Sequence, residues 1–131
     1  KFGMIGLGKM GMNLVKNAVD HEIEVVAYDV NAEAVEEAGN YSEKITAVKS
    51  IDELLAELSE PKIIWLMLPA GKATNSTIEL LSEKLSAADI LIDGGNSNYK
   101  DNLEQNKLLT EKGIKFFDVG TSGGIDVNPK S

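Results

Sequence analysis

The residues of this chain best suited to chemistry are six positions with a glycine spacing, Gly6-Leu7-Gly8-Lys9-Met10-Gly11. They follow a short apolar run, Phe2-Gly3-Met4-Ile5, and lead into a helix predicted over Met12 to Val19. A strand, a tight glycine turn and a helix form the context in which this spacing means dinucleotide binding. Gly6 allows the sharp turn, Gly8 leaves room for a pyrophosphate to approach backbone, and Gly11 lets the helix pack closely. The helix N-terminus then offers unpaired N–H groups and a positive dipole end to the phosphates. On these six residues alone, a purely structural glycine turn remains the alternative.

Four further stretches have types that suit a ligand. Asp29 ends the next β-prone run, where a carboxylate accepts the adenosine ribose hydroxyls of NAD and repels the 2′-phosphate of NADP. Val30 and Asn31 supply no arginine for that phosphate. The plainer reading is that Asp29 starts a turn or helps cap the next helix. Leu68-Pro69-Ala70-Gly71 has no ionisable group, so it either lines a cofactor with backbone and small apolar surface or simply ends a strand. In Asp93-Gly94-Gly95-Asn96-Ser97-Asn98, paired glycines admit a ligand and Asn96 both donates and accepts, although an Asx-type turn into a helix has the same composition. Ser122-Gly123-Gly124 offers a hydroxyl and backbone N–H groups to a carboxylate or phosphate, or is a loop with no ligand. His21 in a polar turn reads as solvated, Trp65 as core, and Glu33, Glu36 and Glu37 as a solvated helix face. No His or carboxylate cluster has metal-ligand spacing, so no metal site is expected.

Alternating elements must position these stretches. Strands are predicted at Ile23 to Tyr28, Lys44 to Val48, Lys62 to Leu68, Ile90 to Ile92 and Ile114 to Val119. The Lys62 to Leu68 run is almost unbroken apolar, as for a strand covered on both faces. Helices are predicted at Ala32 to Ala38, capped by Asn31 and ended by Gly39, and at Lys72 to Leu85, with Ile78, Leu81 and Leu85 at helical spacing. A polar helix, expected to lie on the outside, is predicted at Tyr99 to Lys112 and closed by Gly113. Ser50-Ile51-Asp52-Glu53 is a capping box opening another helix, whose Ile51, Leu54, Leu55 and Leu58 share a face. Such alternation implies an α/β, doubly wound, mainly parallel sheet, with ligands at the C-terminal edge of the strands. All five chemical stretches fall at that edge.

The 131 residues suit one domain with a real core. A formal net charge of −8 argues against nucleic-acid or anionic-membrane partners, which need a basic footprint. No run of about eighteen apolar residues predicts a membrane helix. The N-terminus enters a strand at once, leaving no room for a signal peptide, and cysteine is absent; both suit the cytoplasm.

Taken with their order and spacing, the glycine turn, Leu68 to Gly71, Asp93 to Asp101 and Gly120 to Gly124 resemble the N-terminal domain of 6-phosphogluconate dehydrogenase (decarboxylating). The glycine turn is shared by the wider β-hydroxyacid dehydrogenase superfamily, including 3-hydroxyisobutyrate dehydrogenases, whereas the Asp93 to Asp101 stretch is far more specific to the 6-phosphogluconate enzymes. The resemblance implies a Rossmann-type domain over residues 1–124 with a tail at 125–131. It also implies a cytoplasmic homodimer that oxidises 6-phosphogluconate at C3, reduces the nicotinamide and yields ribulose 5-phosphate and carbon dioxide. Gly6 to Gly11, Asp29, Leu68, Pro69, Ala70 and Asn96 would then contact the cofactor, and Asn96, Ser122, Gly123 and Gly124 the substrate. NADP-using members have Asn-Arg-Thr where this chain has Asp29-Val30-Asn31, so the resemblance is to the NAD-preferring bacterial branch. The family's general-base lysine and general-acid glutamate, its Lys-x-x-His-Asn motif and its helical domain have no counterpart here. The expectation is a cofactor-binding domain inactive alone, a non-catalytic nucleotide-sensing module being the remaining alternative.

Overall fold

A computed structural model describes residues 1–68, 72–94 and 107–118, with backbone alone at 72–75 and 118. The chain divides into two compact units, Lys1–Met67 and Leu68–Ser131.

The first unit alternates β1 (Phe2–Ile5), α1 (Lys9–Asp20), β2 (Val25–Tyr28), α2 (Ala32–Tyr41), β3 (Ile45–Ala47), α3 (Ile51–Ala56) and β4 (Ile63–Leu66). Its strands run parallel in the order β3-β2-β1-β4. The chain therefore steps outward twice from β1, then returns to the opposite side of β1. Right-handed crossovers in opposite directions put helices on both faces of the sheet.

The register shows those two faces residue by residue. Met4 pairs with Ala27 and Trp65, and Met4 and Ala27 are buried with Val15 and Val19 of α1 and Val35 and Ala38 of α2. One residue earlier, Gly3 pairs with Val26 and Ile64. A Cβ on Gly3 would stand 2.7 Å from Leu54 Cδ2, so this row faces α3 and the glycine leaves space for the leucine. Successive side chains of a strand point to opposite faces, and here each face has its own helices.

The second unit contains α4 (Lys72–Lys84), β5 (Ile90–Asp93) and β6 (Lys115–Asp118), with β5 and β6 parallel. Ile78, Leu81, Leu85 and Leu91 are buried. Residues 107–111 are helical and end on Gly113, whose φ is +80°. The Gly113 and Ile114 N–H groups donate to Thr110 O and Leu109 O, the paired bonds of a Schellman ending.

Several boundaries differ from expectation. α1 begins at Lys9 rather than Met12, because Gly8 is its N-cap in extended backbone and the second half of the glycine motif is itself helical. α2 runs through Gly39 to Tyr41. That glycine serves packing, since a Cβ there would lie 3.0 Å from Ala47 Cβ. In the capping box, Ser50 Oγ accepts from Glu53 N–H at 3.1 Å as expected. The Glu53 carboxylate instead reaches Lys49 N–H at 2.7 Å, one residue before the cap. Leu54 and Leu58 are buried while Ile51 and Leu55 are half-buried. Trp65 is half-buried rather than core, tilted against Phe2 at 6.3 Å between ring centroids. Leu109, in the segment expected to lie outside, is fully buried.

Candidate dinucleotide site

The glycine turn sits where β1 meets both β2 and β4, the point at which the strand order reverses. Open α/β sheets bind ligands at such points. Ile5 pairs with Tyr28 on one side and Leu66 on the other. Past the end of β1, Gly6 N–H donates to Tyr28 O at 2.9 Å and Met67 N–H donates to Ile5 O at 2.8 Å.

Each glycine of the motif has a separate physical reason. Gly6 has φ +107°, backbone that a side chain would strain. Gly11 lies so close to the turn that an added Cβ would be 2.1 Å from Gly6 O and 3.4 Å from Met67 Cβ. Gly8 is different: a Cβ there would meet nothing within 4 Å. Among the described residues no contact demands glycine at that position, and the open space beside it suits an approaching pyrophosphate.

The start of α1 is prepared for an anion. Gly8 brings no side-chain acceptor, and the first turn has no acidic residue. Among the described residues no backbone acceptor meets the N–H groups of Lys9 and Met10. These donors belong to the positive end of the helix dipole, next in the chain to the open space at Gly8. Beside them is a recess of about 280 Å³ lined by Leu7, Gly8, Lys9, Met12, Asn13, Lys16 and Glu37. Lys16 Nζ is 3.5 Å from the Glu37 carboxylate and 5.1 Å from the Tyr41 ring centroid, so its charge is already partnered.

Asp29 reaches the turn. Its Oδ2 accepts from Leu7 N–H at 2.5 Å, and its Oδ1 accepts from Asn31 N–H at 2.8 Å. Asn31 Oδ1 in turn caps α2 by accepting from Glu33 N–H at 2.9 Å. The plainer reading of Asp29, as a turn-former ahead of a helix, is therefore met. The sequence signals the bond to Leu7 only through a carboxylate at the end of β2, whose register with β1 brings it beside the turn. A carboxylate has about four lone-pair sites, and among the described residues two of them are taken. Val30, the next residue, is 89% exposed and offers no cation.

Of the expected site residues, the structure brings Gly6, Leu7, Gly8, Lys9, Met10, Gly11 and Asp29 together. Leu68 is half-buried just past β4. Asp93 is fully buried and pairs in register with Asp118. Pro69, Ala70, Asn96, Ser122, Gly123 and Gly124 lie outside the described residues, as does the 125–131 tail. His21 is exposed at the far end of α1, its ring nitrogen 2.8 Å from Asn17 O. Among the described residues, no three His, Cys, Asp or Glu side chains come together as a metal site, and no helix is long and apolar enough to cross a membrane.

Residues 1–128 match the family described as the NAD binding domain of 6-phosphogluconate dehydrogenase. The chain is 44% identical over 125 residues to the decarboxylating 6-phosphogluconate dehydrogenase of Haemophilus ducreyi, covering 93% of this chain and 26% of that one. Its fold superposes on Plasmodium falciparum 6-phosphogluconate dehydrogenase, described with its cofactor NADP+ and its substrate, with a TM-score of 0.81. That match has 30% identity and covers 88% of this chain and 26% of the other. A 3-hydroxyisobutyrate dehydrogenase of Mycobacterium tuberculosis shares the fold with a TM-score of 0.78 at 23% identity, over 89% of this chain and 38% of that one. The expected α/β Rossmann-type class is therefore the observed one. The chain spans 26% to 41% of the length of the curated relatives it matches first.

Proposed function

The chain belongs to the family of NAD-binding domains of 6-phosphogluconate dehydrogenase, and from that premise we propose that it holds NAD, in preference to NADP, for the oxidative decarboxylation of 6-phosphogluconate. In this reading Gly6 to Gly11 bind the pyrophosphate, with Lys9 and Met10 N–H groups as donors. Asp29 takes the ribose hydroxyls. Leu68, Pro69 and Ala70 line the cofactor, Asn96 lies between cofactor and substrate, and Ser122, Gly123 and Gly124 bind the substrate. Bound NAD would supply the hydride acceptor for oxidation of 6-phosphogluconate at C3, and the resulting β-keto acid would lose carbon dioxide to give ribulose 5-phosphate.

The observation that carries the NAD preference is the Asp29 carboxylate at 2.5 Å from Leu7 N–H, a negative charge fixed beside the turn. A 2′-phosphate would be set against that charge, and exposed Val30 supplies nothing to offset it. The rest of the reading follows the resemblance: a cytoplasmic homodimer of the pentose phosphate pathway, whose proton-transfer lysine and glutamate lie outside these 131 residues.

The test is a substrate panel on the protein that carries this chain. With 6-phosphogluconate it should reduce NAD and release carbon dioxide. Turnover of 3-hydroxyisobutyrate in its place would shift the assignment to the neighbouring branch. The 131-residue chain by itself should bind NADH without turnover, and turnover by that chain would refute the placement of the proton-transfer residues.

A further inference from the structure

The peptide joining Gly6 to Leu7 is held from both sides. Its N–H, on Leu7, donates to Asp29 Oδ2 at 2.5 Å across 22 positions of sequence. Its C=O, on Gly6, lies against α1, where a Cβ on Gly11 would stand 2.1 Å away. A peptide unit is planar, so fixing the N–H fixes the direction of the C=O. Gly6 itself gives little resistance to rotation, being glycine at φ +107°. The carboxylate is in turn held by Asn31 N–H at 2.8 Å, and Asn31 is held by its cap bond to Glu33.

From this we propose that Asp29 is a positioning residue for the pyrophosphate turn, acting through Leu7, in addition to any contact with the ribose. The inference rests on the dinucleotide reading of the turn. Releasing the Leu7 N–H lets the Gly6–Leu7 plane rotate, turns Gly6 O against Gly11, and displaces the start of α1 with its Lys9 and Met10 donors. Asp29 thereby couples the ribose end of the site to the pyrophosphate end.

Positioning and charge predict opposite signs, which makes the proposal testable. A carboxylate near a pyrophosphate repels it, so removing Asp29 tightens anion binding if charge alone matters. If positioning matters, removal weakens it. The probe is 2′,3′-dideoxyadenosine diphosphate, which has the diphosphate but neither ribose hydroxyl, displaced against NADH fluorescence. Asp29→Ala should weaken this probe about tenfold, the scale of one charge-assisted hydrogen bond. Asp29→Asn keeps an acceptor for Leu7 N–H and drops the charge, so it should bind the probe at least as tightly as the unmutated protein. Equal or tighter binding by Asp29→Ala relative to Asp29→Asn overturns the proposal.

Hydrogen exchange in the unmutated protein gives a second readout that needs no folded variant. The Leu7 amide should be protected while Lys9 and Met10 amides exchange freely, and a Leu7 amide exchanging as fast as theirs also overturns it. Failure of NADH to bind the unmutated protein would refute the dinucleotide reading instead, with the Leu7 result standing apart.

Discussion

Gly11 has room for a hydrogen and for nothing larger, because Gly6 O occupies the place a methyl group would take. Gly11→Ala should therefore push α1 off the turn, destabilising the protein by about 1–3 kcal/mol as overpacking does. Thermal unfolding and an NADH titration of that variant should both show the loss. Wild-type stability with unchanged affinity would mean that the close approach has no consequence. At this scale the glycine spacing is legible in sequence, since each glycine answers to a local steric need. The Asp29–Leu7 bond is not. It exists because Ile5 pairs with Tyr28, which carries the residue after Tyr28 alongside the turn after Ile5. Strand register joins residues distant in sequence, and no local pattern around Asp29 encodes it.

Element ends show a similar division. Gly113 and Gly39 look alike in sequence, yet one supplies left-handed backbone after a helix and the other supplies smallness inside one. Glycine has both properties, and only the neighbouring Ala47 decides which is used at Gly39. Ala88, between α4 and β5, takes a left-handed φ of +80° with its N–H bonded to Gly113 O at 2.9 Å. Ala88→Gly should stabilise the protein by about 0.5–1 kcal/mol, the strain relieved exceeding the added freedom of the unfolded chain. A lower melting temperature for this variant would contradict that account. The join of α1 to α2 has a pH dependence of its own. The Tyr41 hydroxyl lies 3.0 Å from both Asp20 carboxylate oxygens. That hydrogen bond, more than desolvation or the carboxylate's charge, raises the phenol above its ordinary 10.0. The folded protein thus holds this proton more tightly than the unfolded chain does. Its contribution to stability is complete below about pH 10 and is lost as pH rises through the raised value. Urea midpoints should fall less between pH 9 and pH 11 (about one unit either side of the ordinary tyrosine value) for Tyr41→Phe than for the unmutated protein. Parallel falls would rule the bond out as the cause.

Across the whole molecule, the sheet order β3-β2-β1-β4 puts the glycine turn at the reversal point, and the turn, Asp29 and the recess beside them all lie within Lys1–Met67. Strand and helix alternation made this architecture legible, because hydrophobic period changes between elements and crossover handedness leaves few topologies. The stretches expected to meet substrate belong to the other unit, beyond its described residues, and depend on placement that periodicity does not specify. The central claim is that the Gly6 to Gly11 turn and Asp29 together make a site for NAD. Its most direct test is calorimetric titration of the 131-residue chain and its Asp29→Ala variant with NADH and with NADPH. The unmutated chain should bind NADH at least about tenfold more tightly than NADPH, the scale of one ribose contact exchanged for one charge repulsion. Asp29→Ala should narrow that ratio by weakening NADH. Equal affinity of the unmutated chain for the two cofactors would contradict the claim.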